Sequence, residues 1–335
     1  MKTNIPMSGL DFGATPTISL ALLALALASS PVQSQIPPSV ISEWKSTLGA
    51  RVEAMDVLAG DYGITGGTYD AMNTPGRDVQ LTLSKFGGAG DVGDPKPLGT
   101  TGIGWQPRLQ GSMGYLENKT VFNTELLNQD VSKTYTYAIQ FGGGARFWFN
   151  DCLSLAPTIM GQYGHTWNDY SAVSQFAKDN IQQAEQQGLV NGNIDTWSVI
   201  PAGNLQYVYT WHRTIFTVST DYTFYHTESF HSSSSSFSIN GNSESWENKL
   251  DFDIPLGKEL FGHELRTGGY FSRTEYFDDL RTGLNTDHMY EIHPRIVLDF
   301  LGNLWKVQWI GLGGSYLWGN NFHGVAVGAD IAFRF

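Results

Sequence analysis

The chain has one cysteine, Cys152, among its 335 residues. That scarcity removes an intramolecular disulfide and a cysteine-cluster metal site at once, and leaves Cys152 as a packed structural residue. Charge is sparse too: Asp, Glu, Lys and Arg make up 16% of the chain, against roughly 25% in an average soluble protein. What charge there is leans acidic, with 32 Asp and Glu against 20 Lys and Arg and a net charge of −12. Lys2 and Asp11 cancel, so an exported form keeps that value, and nucleic acid is excluded as a partner. Long apolar runs are missing after residue 35, where nothing approaches the roughly 18 residues of a membrane-spanning helix. A helical membrane protein is therefore excluded.

Glycine (38) and aromatics (Phe 19, Tyr 15, Trp 10) are plentiful, yet the mean hydropathy is only −0.21. A β-barrel wall in a membrane reconciles these facts, because alternate residues face lipid and their polar neighbours hide the apolar signal from any average. Residues 18–28, ISLALLALALA, have the length of a signal-peptide core and are followed by small residues and a proline. Cleavage fits after Ala28 or after Ser34; the second gives a signal peptide over 1–34, a helical segment over 35–55 and a barrel over 56–335. In that middle segment Ser39 caps a helix reaching Met55, with Val40, Trp44, Leu48 and Val52 on one face. It reads either as a plug inside the barrel or as a helix resting against the rim.

The barrel shows itself by alternation of period two. Val325, Val327, Ala329, Ile331, Phe333 and Phe335 share one face at the C-terminus, opposite Gly324, Gly328, Asp330 and Arg334. In 290–300, Tyr290, Ile292, Pro294, Ile296, Leu298 and Phe300 lie opposite Glu291, His293, Arg295 and Asp299. Similar strands run through Tyr135–Phe149, Trp197–Trp211, Phe216–Phe224 and Trp246–Ile254, with aromatics near their ends as an interfacial girdle requires. Leu155–Trp167, His263–Arg273 and Leu304–Trp318 are blurred by glycines or a bulge, and Val57–Tyr69, Val79–Phe86 and Thr101–Tyr115 are fainter still. The sum is an all-β fold, one antiparallel transmembrane barrel of about twelve strands, or about ten if the first two are misplaced.

Loop lengths orient it. With a periplasmic C-terminus, the short connections 301–303, 256–260, 211–213 and 150–151 fall on the periplasmic side. The long ones, 278–286, 228–245, 168–192 and 116–132, then fall outside. Only Gly87–Gly99 breaks the rule, as a long connection on the short side. Asp169–Gly188 reads as a helix lying across the mouth, with Val173, Phe176, Ala177, Ile181 and Ala184 on one face and Gly188 as its stop. Ser232–Ser236 is a low-complexity loop tip.

The face opposite the lipid carries Arg146, Lys249, Asp251, Asp253, Glu264, Arg266, Glu291, Arg295, Asp299, Lys306, Asp330 and Arg334. Charges of both signs in comparable number form a lattice pairing across the lumen, rather than a wide ion path. A hydrolase is the competing class, with Asp278, Asp279, Asp287 and His288 in one loop and His226, His231 and Ser233 about another; solvated loop residues are the simpler account of both groups. Asp278-Asp279 lacks a calcium-binding spacing, and Asn118-Lys119-Thr120 matches a glycosylation sequon by pattern alone. A secreted soluble β-sandwich would also alternate, but the parity of the loop lengths and the aromatic strand ends oppose it.

The ending AVGADIAFRF resembles the recognition signal read by the barrel-assembly machinery, carried by Val327, Ala329, Ile331, Phe333 and Phe335. Together with the export signal, the short helix and the strand count, it makes the chain similar to the autotransporter translocator barrel. Within that group it resembles the solitary autotransporter-like barrels, since only residues 35–55 precede the barrel and no passenger does. The resemblance implies an integral protein of the Gram-negative outer membrane, in contact with lipid and lipopolysaccharide. No cofactor, metal or catalytic residue is expected, and the role is structural, surface-binding or that of a narrow pore.

Overall fold

A computed structural model describes residues 63–71, 77–186, 188–233, 240–284, 286–304 and 307–333. The signal segment, the Ser39–Met55 helix, Lys306, Arg334 and Phe335 lie outside the described residues, as does most of the Ser232–Ser236 run.

Thirteen strands form one antiparallel sheet. They are β1 (Gly63–Ala71), β2 (Arg77–Asp91), β3 (Lys96–Pro97), β4 (Gly104–Phe122), β5 (Val131–Trp148), β6 (Leu153–Ser171), β7 (Asn193–Trp211), β8 (Thr214–Ser232), β9 (Asn240–Leu260), β10 (His263–Phe277), β11 (His288–Leu304), β12 (Val307–Gly319) and β13 (Phe322–Phe333). Two helices interrupt them, α1 (Gln175–Gln186) before β7 and α2 (Asp278–Leu284) before β11. Each strand pairs with its sequence neighbour, β2 skips the two-residue β3 to pair with β4, and β1 closes the ring on β13 from Ile64↔Ala329 to Ala71↔Phe322. The result is a closed barrel of twelve strands with one extra short strand.

At one end of the barrel the described turns are short, such as residues 149–152, 212–213 and 261–262. At the other lie 123–130, the α1 loop and the α2 loop. The connection after β2 is the exception at the short-turn end, but its bounds differ from the sequence expectation. Gly87, Gly88, Ala89, Gly90 and Asp91 belong to β2 and pair with Ser112 back to Arg108; the connection is 92–103, where β3 folds back on the rim of β4. Glycine hid the strand there, because alternation needs side chains to be seen. Several strands also outrun their expected ends. β4 continues to Phe122, β8 to Ser232 and β9 to Leu260, so 116–122, 228–232 and 256–260 are strand rather than loop. Beyond the lipid both faces meet water, and the hydrophobic alternation that reports a strand fades.

The outer face is apolar, with Ile139, Phe141, Ile159, Val218, Leu250, Ile296, Leu312 and Val327 all exposed. Aromatics edge it at both ends. Phe149, Tyr209 and Trp211 stand toward the short turns; toward the long loops, stacked pairs join Tyr135 to Trp167 at 5.1 Å and Tyr290 to Trp318 at 5.6 Å. This is the band and double girdle of a barrel wall in a bilayer.

The inner face has two zones. Toward the long loops lies a hydrophobic cluster that includes Tyr69, Leu81, Leu83, Leu116, Ile200, Tyr276, Met289, Leu317 and Phe322. Toward the short turns the inward positions of the same strands become charged: Asp91 on β2, Arg108 on β4, Arg295 on β11. Sequence alternation anticipates a polar interior throughout. The apolar half departs from that because it is a packed core, and α2 completes it by adding Leu280 and Leu284 to the same cluster.

Of the two helices, α1 follows the expected one. Its N-cap is Ser174, whose Oγ accepts from Ala177 N at 3.1 Å. Gly188 ends it in a left-handed conformation (φ 62°), and Leu189 N donates to Ala184 O at 2.8 Å. Its buried residues are Ala177, Asn180 and Ala184, so the covered face is turned from the expected one, and Val173 is exposed outside the helix. The loop is fixed instead by Asp130. This fully buried carboxylate accepts from Tyr170 OH (2.8 Å), Val173 N (2.6 Å), Ser174 N (2.7 Å) and Ser174 Oγ (2.7 Å).

Candidate functional site

The charged residues inside the barrel gather into three groups. The first joins β2, β4, β5, β6 and β7. Arg108 Nη1 donates to Asp91 Oδ1 at 2.9 Å, and Arg146 Nε stands 3.0 Å from Asp91 Oδ2. Arg146 Nη1 also donates to Ser154 Oγ at 2.9 Å and Gln206 Oε1 at 2.8 Å, while its guanidinium lies over Trp148 at 5.6 Å. Both buried guanidiniums thus have a carboxylate beside them, as buried charge requires.

The second group lies on the facing wall. Arg295 makes a two-pronged pair with Asp251, both bonds 2.8 Å, and lies over Trp309. Arg266 Nε donates to Asp253 at 2.7 Å and its Nη1 is 3.6 Å from Glu264, which also pairs with Arg213. Lys249 sits 3.0 Å from Glu247 and 4.9 Å above the Tyr270 ring. The third group runs along β10 to β13. Tyr270 OH donates to Glu291 at 2.7 Å, Ser315 Oγ bonds the same oxygen, His293 Nδ1 is 2.7 Å from Ser315 Oγ, and His293 Nε2 is 3.2 Å from Asp330.

Ten of the twelve lattice residues named from sequence are described. Arg146, Lys249, Asp251, Asp253, Glu291, Arg295 and Asp330 line the space inside the barrel, Arg266 and Glu264 pair with Asp253 and Arg213, and Asp299 stands opposite Glu264 on β11. Lys306 and Arg334 fall outside the described residues. The pairing differs from expectation in its direction. Partners sit one or two strands apart along the wall, as Arg146 and Asp91 do across β4, rather than across the lumen. Side-chain reach explains this: a guanidinium spans neighbouring strands about 4.8 Å apart, but not a barrel of this girth. Asp91, Arg108, Arg213, Tyr270 and Ser315 were missed, and Glu247 and His293, though on the inner face by alternation, were left out of the lattice. His293 was legible, since it alternates with Glu291 and Arg295; Asp91 and Arg108 lie in strands whose glycines hid them.

A cavity of about 610 Å³ lies inside the barrel, lined by polar and charged residues of both walls, including Arg108, Arg146, Asn204, Lys249, Glu291 and Trp309. Among the described residues no group of three or more His, Cys, Asp or Glu is arranged to hold a metal.

The competing loop residues do not converge. His231 leans on Asp195 (3.2 Å), whereas Ser233 Oγ accepts from Asn193 N (3.0 Å). His226 bonds Asn242, and His288 bonds Asp287 at 2.7 Å. That bond holds the Asp287 carboxyl below the usual range, while burial, then the neighbouring Asp278, raises Asp279 above it.

A closed antiparallel barrel with a lipid-suited exterior and an internally paired lumen defines the class, an autotransporter-like barrel of the Gram-negative outer membrane. Residues 97–328 match the family described as "Solitary outer membrane autotransporter beta-barrel domain", and the chain belongs to that family. The fold is also that of solved autotransporter domains. The transport unit of AIDA-I from Escherichia coli superposes with a TM-score of 0.52 at 11% identity, over 88% of this chain and 98% of that one. The translocator domain of NalP from Neisseria meningitidis gives 0.50 at 12% identity, over 86% and 93%. No curated protein matches the chain in sequence.

Proposed function

We propose that this protein is a non-catalytic barrel that presents its long loops at the cell surface while its lumen stays shut to ions. The observation that carries this reading is the apolar half of the lumen. Leu280 and Leu284 of α2 pack there with Tyr69, Tyr276, Met289 and Phe322, and a constriction lined this way sheds water and with it hydrated ions. Below it, ion pairs along each wall leave the charges engaged with one another instead of forming a single-sign path. Short turns at the end that carries the C-terminus of β13 support a periplasmic C-terminus. Val327, Ala329 and Ile331 are proposed to serve as the assembly signal with the residues that follow, in contact with the barrel-assembly machinery, lipid and lipopolysaccharide.

Planar-bilayer conductance tests the reading. Folded protein is expected to give no steady channel events, and the double variant Leu280→Asp, Leu284→Asp to conduct. Steady conductance from the unaltered protein would overturn it.

A further inference from the structure

We infer that the outer wall holds one lipid, the lipid A portion of lipopolysaccharide, with an acyl chain in a groove over β1, β2 and β4 and a phosphate between Lys119 and Lys133. The site then lies in the outer leaflet, a placement that rests on the proposed outward-facing long loops. A concave space of about 1030 Å³ opens on the outer face, lined mainly by apolar side chains and glycines of β1, β2, β4, β5, β6, β12 and β13. Gly66 and Ser84, paired across β1 and β2, form its floor, and Phe86, Met113, Ile139 and Val327 stand around them, all exposed. An unfilled space of this kind forfeits contacts that hydrocarbon restores.

The groove opens at a gap in the aromatic girdle. On one flank Tyr115 lies 4.9 Å from Tyr137, and on the other Tyr316 lies 5.6 Å from Trp318. In the row that runs from Tyr316 through Val325, Thr68, Thr82 and Glu117 to Tyr135, β1 and β2 present hydroxyls where the flanks present rings. Rings hold the interface elsewhere; here the acyl linkages of a lipid fit between them and meet hydroxyls. At the next outward positions Lys119 and Lys133 stand directly opposite each other on β4 and β5. Like charges placed so repel. Lys133 reaches Glu117 only at 3.9 Å, and the exposed Lys119 makes no ion pair among the described residues. The carboxylates nearby are engaged, Asp70 accepting from Gln80 at 3.4 Å and Asp78 from Asn123 at 2.8 Å. A phosphate between the two ammonium groups turns their repulsion into charge-assisted bonding. Lys119 lies beyond Tyr115 on the same strand by roughly 13 Å, a longer reach than glycerol gives and one that suits a sugar headgroup.

Native mass spectrometry of the folded barrel in detergent tests both parts of the site, with three lipids added in turn: diphosphoryl lipid A, the same lipid stripped of its phosphates, and phosphatidylglycerol. The parent is expected to retain one copy of diphosphoryl lipid A in preference to the other two. Lys119→Gln combined with Lys133→Gln should weaken that retention by more than about tenfold and leave the stripped lipid unaffected. Gly66→Leu fills the groove and should weaken retention of both forms of lipid A. A Cβ at Gly66 meets only the Leu83 backbone oxygen, at 3.8 Å, so the strand accepts the side chain; Ser84→Leu on β2 serves if that variant does not fold, as unheated gels will show. Equal retention of diphosphoryl lipid A by the parent and the lysine variant would overturn the phosphate site, and equal retention by the parent and the groove variant would overturn the groove. Phosphatidylglycerol held as tightly as lipid A would overturn the choice of lipid. A dimer that Gly66→Leu abolishes would overturn the proposal by giving the groove to a second copy of the chain. Binding in detergent is the same whichever end faces outward, so failure here leaves the proposed orientation standing, and protease cutting of the α1 loop in intact cells tests that orientation by itself.

Discussion

Asp91 on β2 stands 3.0 Å from Arg146 on β5, two strands away, and the same carboxylate holds Arg108 of the strand between them. One side chain thus ties three strands near the point where the barrel closes. Asp91→Ala leaves both guanidiniums without it, and breaking a buried pair costs about 3–5 kcal/mol. The low end applies, because Arg146 keeps Ser154 and Gln206. Loss of about 3 kcal/mol should appear as an earlier urea midpoint, with Asp91→Asn intermediate between alanine and the parent.

This tie also marks where sequence reasoning stopped. Strands such as Tyr135–Phe149 or Tyr290–Phe300 were legible because lipid and lumen sort their residues by polarity at every step. β1, GITGGTYDA, and the Gly87–Gly90 end of β2 have too few side chains to sort. The apolar half of the lumen was illegible for another reason. On β2 the inward residues Leu81 and Leu83 are the hydrophobic ones and the outward Gln80, Thr82 and Ser84 are polar, so alternation turns the wrong face to the lipid; on β11 inward Met289 is followed by outward Tyr290 and Ile292, hydrophobic as well. α2 was read as part of a charged loop because Asp278 and Asp279 dominate its start, while the two leucines that matter, Leu280 and Leu284, show a helical spacing too short to stand out.

The Asp130 anchor predicts a separable lesion. Removing the carboxylate strands four donors at the end of β6 and in the segment that leads into α1, and hydrogen bonds to a charged group contribute about 1.5–3 kcal/mol each at most. Among the barrel strands it reaches only the end of β6, at Tyr170. Asp130→Ala should therefore leave the barrel's heat-modifiable gel migration intact while protease cuts between residues 171 and 193 much faster. Cutting in intact cells places that loop outside; protection in intact cells with cutting in lysed ones would reverse the proposed orientation.

Close strand approach makes two glycines behave differently. A Cβ on Gly144 would lie 2.0 Å from the backbone oxygen of Pro157, which cannot move without breaking the β5–β6 pairing; at Gly161 a Cβ meets nothing within 4 Å. Gly144→Ala should refold poorly, with a penalty of about 1–3 kcal/mol or more, whereas Gly161→Ala should match the parent. Folded fractions on unheated gels would compare them directly.

Acid should act on the α2 loop in two opposed ways. Asp287, depressed by its bond to His288 and also accepting from Asn320 at 2.9 Å, gives stability that is present above the unfolded carboxyl value of about 4. That stability is lost as pH falls through the lower folded value. Asp279 is raised, and its carboxylate lies over Gly241 of β9, where a Cβ would come within 2.2 Å of Oδ2. Its charge costs the docked helix stability at neutral pH, and protonation relieves that cost as pH falls through the raised folded value. Asp279→Asn should therefore slow hydrogen exchange of α2 at neutral pH, and Asp287→Asn should speed it there. In the parent, exchange corrected for its intrinsic pH dependence should first slow on acidification and then, below about pH 4, quicken. A steady change in one direction would mean that only one of the two carboxyls governs how α2 is held.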